Sequence, residues 1–160
     1  MLFFEDLFVG QRYGIHAPTE PPYGLHEVSE QEILEFARRW DPRPQHVDPD
    51  AAAQTRFGGL IASGAHGFAL WTRLALEAGK RNEPIAIIAG LGSEYAVLAP
   101  IRPGDRFDLT VEIVVVRASQ SHPEAGVMTA HHRLSNQTGT LVIENRATSL
   151  VERRPPCGST

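Results

Sequence analysis

Residues 57–78, FGGLIASGAHGFALWTRLALEA, constrain the fold more than any other stretch of the chain. The stretch opens with small residues and continues as a helix, in which only Thr72, Arg73 and Glu77 are clearly polar. A helix that is apolar nearly all round is buried, and in a chain of 160 residues we expect a sheet wrapped around it. The small entrance residues let a ligand approach the free N–H groups at the helix start. Alternatively, they only permit close packing of the helix on the sheet.

The other elements are predicted in an order that places helices before strands. Residues 1–28 are typical of an irregular arm, with a possible strand over 9–14 and prolines at 18, 21 and 22 that keep it extended. Ser29 and Glu32 fit a capping box, and the helix behind them must stop before Pro42. Asp48 and Pro49 start a second, short helix. Extended or alternating segments follow at 85–89, 93–98, 106–117, 127–135 and 140–151. Consecutive strands with short connections predict an antiparallel meander and an α+β fold.

Composition and charge narrow the class of protein. The length suits one domain, which we place at residues 1–152, with a disordered tail at 153–160. A net charge of −4 argues against nucleic acid as the main partner. The single cysteine, Cys157, excludes a disulfide framework, and no stretch is long enough to span a membrane. The acidic amino-terminal run is unlike a signal peptide. We therefore expect a cytoplasmic protein.

The segment Trp40-Asp-Pro-Arg-Pro-Gln-His-Val-Asp48 holds the strongest chemical signal. Two prolines flank Arg43, so we expect a rigid, non-helical loop that turns Asp41 and His46 toward one point. An acid and an imidazole that converge on one water molecule can divide the proton transfers needed to add or remove it. Alternatively, Asp41 caps a helix end and His46 is a half-buried polar residue. A third possibility is a metal site formed by Asp41, His46 and Asp48, which has suitable ligand atoms but no obvious fourth ligand.

Two other sets of residues suggest a chemical function, but their spacing argues against it. Ser63 is not the nucleophile of a G-x-S-x-G elbow, because Ile61 occupies the position of the first glycine. We expect it to be an N-cap or a hydrogen-bond donor near a pocket. His131 and His132 are adjacent on a predicted strand, so they face opposite sides and cannot share a ligand.

Several ordered motifs together resemble one known family. They are an opening FEDLFVGQ at 4–11, the loop Asp41-Pro-x-Pro-x-His46-x-Asp-Pro, the entrance FGGLIASG at 57–64 and the turn PIRPGD at 100–105. This pattern is similar to that of the MaoC-like dehydratases, or R-specific enoyl-CoA hydratases, which have the hot-dog fold. The resemblance covers nearly the whole chain.

The resemblance implies a fold, a reaction and a set of site residues. The fold is a long central helix wrapped by a curved antiparallel sheet, and two such units pair, as a homodimer or a dimer of dimers. Asp41 and His46 take the positions of the catalytic pair that activates water for addition to a 2-enoyl-CoA thioester. The backbone at Ser63 and Gly64 would hold the thioester oxygen. Coenzyme A enters as part of the substrate, with no separate cofactor and no metal.

Arg43 departs from the family pattern, which usually has asparagine or glutamine there. If Arg43 points inward, it favours the Asp41 carboxylate and lowers its basicity. Otherwise it binds an acidic substrate group or a CoA phosphate, or faces solvent. Further candidates for CoA contacts, or for ordinary surface ion pairs, are Arg73, Arg102 and Arg106. Two alternative functions remain open: a non-catalytic subunit that binds acyl thioesters, and a hot-dog thioesterase, which would not need His46.

Overall fold

The computed structural model describes residues 1–15 and 27–155 and confirms the predicted α+β class. The helices are α1 (Glu30–Trp40), α2 (Pro44–Val47), α3 (Pro49–Ala53) and α4 (Gly64–Arg81), preceded by a 3₁₀ turn at Phe4–Asp6. The strands are β1 (Arg12–Ile15), β2 (Ile87–Val97), β3 (Phe107–Ala118), β4 (Ala125–Asn136) and β5 (Leu141–Glu152). Among the described helices, none is both long enough and apolar enough to cross a bilayer.

The five strands form one sheet in the order β1-β3-β4-β5-β2, and every pair of neighbours is antiparallel. Strands β3, β4 and β5 follow one another as the predicted meander. The segments 85–89 and 93–98 were expected to be separate, but β2 is one strand, irregular at Gly90 and Gly92, that pairs along β5. This pairing leaves β2 as an edge strand.

Helix α4 lies against one face of this sheet, and its small residues differ in what surrounds them. A Cβ atom at Gly67 would lie 2.6 Å from the Tyr95 hydroxyl oxygen, so this glycine permits close packing of helix and sheet. At Gly64 a Cβ atom would meet nothing within 4 Å, so this position faces open space. Close packing of helix and sheet therefore occurs at Gly67, whereas the approach of a ligand at Gly64 stays a prediction.

The sheet covers only one side of α4 in a single chain. The stripe formed by Leu70, Leu74 and Ala78 is buried, but Phe68 is 39% and Leu76 61% exposed. Burial of the helix all round, which its composition predicts, is therefore not reached within one chain.

The predicted N-caps and the predicted turn are confirmed, although the Glu32 carboxylate of the expected capping box contacts His66 Nε2 at 3.0 Å. The Ser29 hydroxyl accepts a hydrogen bond from the Glu32 N–H at 3.1 Å, and Asp48 caps α3 with Pro49 in the first position. In the turn at 102–105, Gly104 has φ +88° and Asp105 donates its N–H to the Arg102 carbonyl at 3.1 Å, as a type II turn requires.

The first residues of the predicted tail contact the amino-terminal 3₁₀ turn. The side chain of Arg154 pairs with Asp6 at 2.7 Å, and that of Arg153 with Glu5 at 3.3 Å. These ion pairs fix the tail against the 3₁₀ turn, a long-range contact that its local composition cannot show. Residues 156–160, and the prolines at 18, 21 and 22, lie outside the described residues, so those expectations stay predictions.

Candidate active site

The segment from 41 to 48 is partly helical, contrary to the sequence expectation. Helix α1 ends at Trp40, and the N–H of its C-cap residue, Asp41, donates to the Ala37 carbonyl at 2.8 Å. Pro44 then begins the single turn α2, which carries His46. Proline is tolerated in the first helical position, because its missing N–H would be unpaired there in any case. The prolines therefore start a helix after Arg43 rather than exclude one.

His46 is buried and held in one tautomer by the backbone. Its Nδ1 lies 2.7 Å from the Ile61 carbonyl oxygen, and the side chain is only 5% exposed. A carbonyl oxygen can only accept, so Nδ1 carries the hydrogen and the neutral ring has a lone pair on Nε2. That Nε2 lies 3.8 Å from Asp41 Oδ2, which is beyond hydrogen-bond length. Both atoms are near enough for one water molecule to contact them together.

Asp41 is clamped by Arg43. The guanidinium donates to both carboxylate oxygens, from Nε at 2.7 Å and from Nη2 at 2.6 Å. These hydrogen bonds lower the pKa of Asp41 more than its partial burial raises it. The positive charges of Arg43 and His46 lower this pKa further. Arg43 thus contacts Asp41 even though its own side chain is 62% exposed. Of the alternatives for Arg43, the inward contact that favours the carboxylate is the one the structure shows.

A cavity of ≈ 380 Å³ brings three of the five predicted site residues together. Arg43, His46 and Gly64 all line it. The rest of its wall comes from the last residue of β2 and the segment after it, 97–101, and from Gln45, Arg56, Phe57, Ile61 and Ala62. Asp41 and Ser63 do not line this cavity among the described residues. Asp41 is hydrogen-bonded to the lining residue Arg43, and Ser63 directly precedes the lining residue Gly64.

The start of α4 supplies the open end of this cavity. Ser63 is buried, and its hydroxyl accepts the His66 N–H at 3.2 Å, so it is the predicted N-cap. Gly64 is exposed in the first helical position, where the N–H has no acceptor within the helix. The Tyr95 hydroxyl donates to the Gly64 carbonyl at 3.1 Å and ties this turn to β2.

Two basic residues besides Arg43 lie at the cavity, and of these only Arg102 was predicted. Arg102 donates to the Phe57 carbonyl at 2.6 Å beside the cavity, whereas Arg73 pairs with Glu77 and Arg106 with Glu27. Arg56 also lines the cavity. Sequence reasoning missed Arg56 because a lone arginine before a glycine-rich turn has no distinctive spacing.

The geometry does not support the metal site considered for Asp41, His46 and Asp48. The Asp48 carboxylate accepts the N–H groups of Asp50 and Ala51, each at 3.0 Å, as the cap of α3. Across residues 1–15 and 27–155, no group of three or more His, Cys, Asp or Glu side chains is arranged to hold a metal ion.

Comparison with known proteins identifies the family. The model of the MaoC-like domain matches residues 15–136. The chain belongs to the MaoC-like domain family. It is 36% identical to a MaoC-like dehydratase from Rhodospirillum rubrum, with a TM-score of 0.83 over 97% of this chain and 99% of that one. It is also 31% identical over 128 residues to YdeM of Bacillus subtilis, an uncharacterized protein, covering 79% of this chain and 88% of that protein.

More distant structures agree on the fold. The R-hydratase PhaJ1 from Pseudomonas aeruginosa is 21% identical, with a TM-score of 0.68 over 99% of this chain and 96% of that one. At this identity the likeness concerns architecture alone. The predicted hot-dog fold, with a long helix on an antiparallel sheet, is confirmed.

Proposed function

We propose that this protein catalyses reversible hydration of 2-enoyl-CoA thioesters, equivalent to dehydration of (R)-3-hydroxyacyl-CoA. The observation that carries the proposal is the placement of His46 Nε2 opposite the Asp41 carboxylate, at 3.8 Å, beside a cavity that also contains the open first residue of α4. Membership of a family that includes dehydratases supports the reaction class.

In the proposed step, His46 moves the proton. The oxygen of water bonds to C3 of the substrate while one of its O–H bonds breaks, and that proton passes to Nε2. The electrons of the C2–C3 double bond move onto the thioester as an enolate, and the proton on Nε2 then passes to C2. Asp41 accepts a hydrogen bond from the remaining hydrogen of the water and balances the charge of the transient imidazolium.

The start of α4 stabilises the enolate oxygen in this proposal. The Gly64 N–H lies in the first turn, where unpaired donors and the helix dipole both favour negative charge. A preorganised donor of this kind typically contributes 100-fold or more to the rate, to order of magnitude. No cofactor other than the coenzyme A of the substrate is needed.

Arg56 and Arg102 are the residues we assign to the coenzyme A phosphates. Both lie at the cavity, Arg56 in its lining and Arg102 through its bond to the Phe57 carbonyl. Guanidinium groups bind phosphate in a fixed geometry. Because CoA thioesters are cytoplasmic metabolites, the proposal places the enzyme in the cytoplasm.

We also propose that the functional unit is a homodimer formed through β2 and α4. Strand β2 is an edge strand with exposed apolar residues, and Phe68 on the apolar side of α4 contacts Tyr95 on β2. Exposed apolar patches beside an unpaired strand edge are typical of protein interfaces. The residues of this face are Phe68, Leu76, Ile87, Ile88, Leu91, Val97 and Leu98.

The clamp of Arg43 on Asp41 favours a second candidate function. Because both carboxylate oxygens already accept from the guanidinium, the chain could bind acyl thioesters without hydrating them. A thioesterase is the other alternative, and it would release free coenzyme A.

The test measures loss of the conjugated enoyl-thioester absorbance with short- and medium-chain 2-enoyl-CoA substrates. We expect turnover without release of a free thiol. Release of thiol would indicate the thioesterase. Binding without any loss of absorbance would support the non-catalytic subunit and contradict the hydratase.

A further inference from the structure

A row of polar side chains crosses the face of the sheet beneath α4. His132 on β4 is directly opposite Asn145 on β5, and Asn145 is directly opposite Tyr95 on β2. Residues opposite each other in a sheet share a face, so these three side chains lie side by side. The hydroxyl of Ser93, two residues from Tyr95 on the same face, contacts the Asn145 side-chain oxygen at 2.5 Å.

Some nitrogen atoms in and beside this row are unusual because they have no hydrogen-bond partner among the described residues. Five buried side-chain nitrogen atoms lack a hydrogen-bond partner in the described part of the chain. Three of them meet here: Trp71 Nε1, His132 Nδ1 and Asn145 Nδ2. The Trp71 ring on α4 lies edge-on to His132, with ring centroids 5.3 Å apart. Unpartnered buried polar atoms are rare in folded proteins and costly.

The cluster is connected to the candidate active site by direct contacts. Tyr95 donates its hydroxyl hydrogen to the Gly64 carbonyl. Phe68 contacts Tyr95 on one side and Trp71 on the other, with ring centroids 5.2 and 5.0 Å apart. Trp71 is seven residues beyond Gly64, which is about 10 Å along the helix axis at the usual rise. A continuous series of side-chain contacts therefore joins Gly64 at the candidate active site to the unpartnered nitrogen atoms.

We propose that Trp71, His132 and Asn145 bind a neutral oxygen atom, such as a keto or hydroxyl oxygen, on the distal part of the acyl chain. This inference rests on the proposed function, since it names the substrate class of the same site. The apolar chain would lie along Phe68 and Tyr95. Its distal oxygen would accept hydrogen bonds from the Trp71 and Asn145 N–H groups and from the Nδ1–H tautomer of His132. Alkyl chains would leave these donors unpaired.

The charge of the cluster favours a neutral oxygen over a carboxylate. Burial lowers the pKa of His132 to about 4, so the ring is uncharged near neutral pH. Trp71, Asn145 and Ser93 carry no charge either. A buried carboxylate without an opposite charge would be strongly unfavourable.

The experiment compares two saturated acyl-CoA thioesters of equal medium length, one with a distal keto group and one with a plain alkyl chain. Calorimetry with the full chain should show about 10-fold tighter binding of the keto compound, equivalent to about 1.4 kcal/mol. Trp71→Phe and His132→Leu should each remove most of this preference. His131→Leu changes the neighbouring histidine on the opposite face of the sheet and should leave the preference unchanged.

Equal affinity of the wild type for both thioesters would overturn the inference. So would an equal loss of both affinities in Trp71→Phe, because that result would assign the cluster a structural role. Saturated thioesters cannot be hydrated, so this result does not depend on turnover. A wild type that prefers the keto compound but leaves 2-enoyl-CoA unchanged would contradict only the hydratase proposal.

Discussion

At the scale of single residues, the contact between Arg43 and Asp41 sets the state of the candidate catalytic acid–base pair. The guanidinium lowers the pKa of Asp41 from its ordinary 3.8, mainly through its hydrogen bonds. A lowered pKa in the folded chain means that this contact adds stability above about pH 3.8. That gain is lost as the pH falls through the lowered value.

Substituting Arg43→Gln should therefore raise the pKa of Asp41 toward its ordinary value, as measured by a carboxyl NMR titration. Turnover at neutral pH should be retained, because the carboxylate stays ionised and still faces His46. The matched variant Arg38→Gln removes a charge from the end of α1 but keeps the hydrogen bonds between Arg43 and Asp41, so it should leave that pKa unchanged. Loss of turnover in Arg43→Gln alone would show that Arg43 binds the substrate itself.

At the scale of elements, the start of α4 combines an N-cap with an open glycine. Gly64 does not have positive φ, and a Cβ atom there would meet nothing within 4 Å. Alanine is therefore compatible with the fold at this position, but its methyl group would stand at the wall of the cavity.

We expect Gly64→Ala to fold with normal thermal stability and to lose about 10-fold or more in kcat/KM, since displacement of the substrate by even 1 Å is costly. Gly79→Ala on the same helix also adds a methyl group into open space. It should keep full activity and gain about 0.5–1 kcal/mol in unfolding free energy. Equal kcat/KM values for Gly64→Ala and the wild type would contradict the placement of the substrate against Gly64.

Many of the helix ends, turns and strands can be predicted from local sequence. The caps at Ser29, Asp48 and Ser63, the turn at 102–105 and the meander all depend on neighbouring residues, whose preferences are physical and short-ranged. The loop around Arg43 shows the limit. Two prolines that flank a single residue predict a loop without a helix. Pro44 nevertheless begins α2, because proline is compatible with the first helical position.

The site itself depends on contacts that no local pattern contains. The tautomer of His46 is fixed by the Ile61 carbonyl, 15 residues away, and a backbone carbonyl has no sequence signature. Likewise, Trp71, His132 and Asn145 meet only because the sheet register and the packing of α4 bring them together. The resemblance to a family supplied the residues of the loop, while the structure supplied their geometry.

At the scale of the whole molecule, the apolar face of α4 and the edge strand β2 remain uncovered in one chain. Leu91 is 55% exposed on β2, and Phe68 and Leu76 on α4 are exposed beside it. This face is what the proposed homodimer would bury, and its burial would also enclose the aromatic side chains beside the active site.

Sedimentation velocity should give the mass of two chains for the wild type. Leu91→Lys places a charge within the face and should shift the protein toward the single-chain mass. Val9→Lys changes an equally accessible apolar residue outside this face, 62% exposed, and should leave the assembly intact. A wild type of single-chain mass at micromolar concentration would contradict the proposed interface.

The most direct test of the central claim follows the enoyl-thioester absorbance for the wild type, Asp41→Asn and His46→Ala side by side. Turnover by the wild type should fall about 100-fold or more in both variants. Asp50→Asn and His122→Ala change residues of the same types at exposed positions and should retain activity. Wild-type turnover that survives in both Asp41→Asn and His46→Ala would contradict the account, because the chemistry would then belong to other residues.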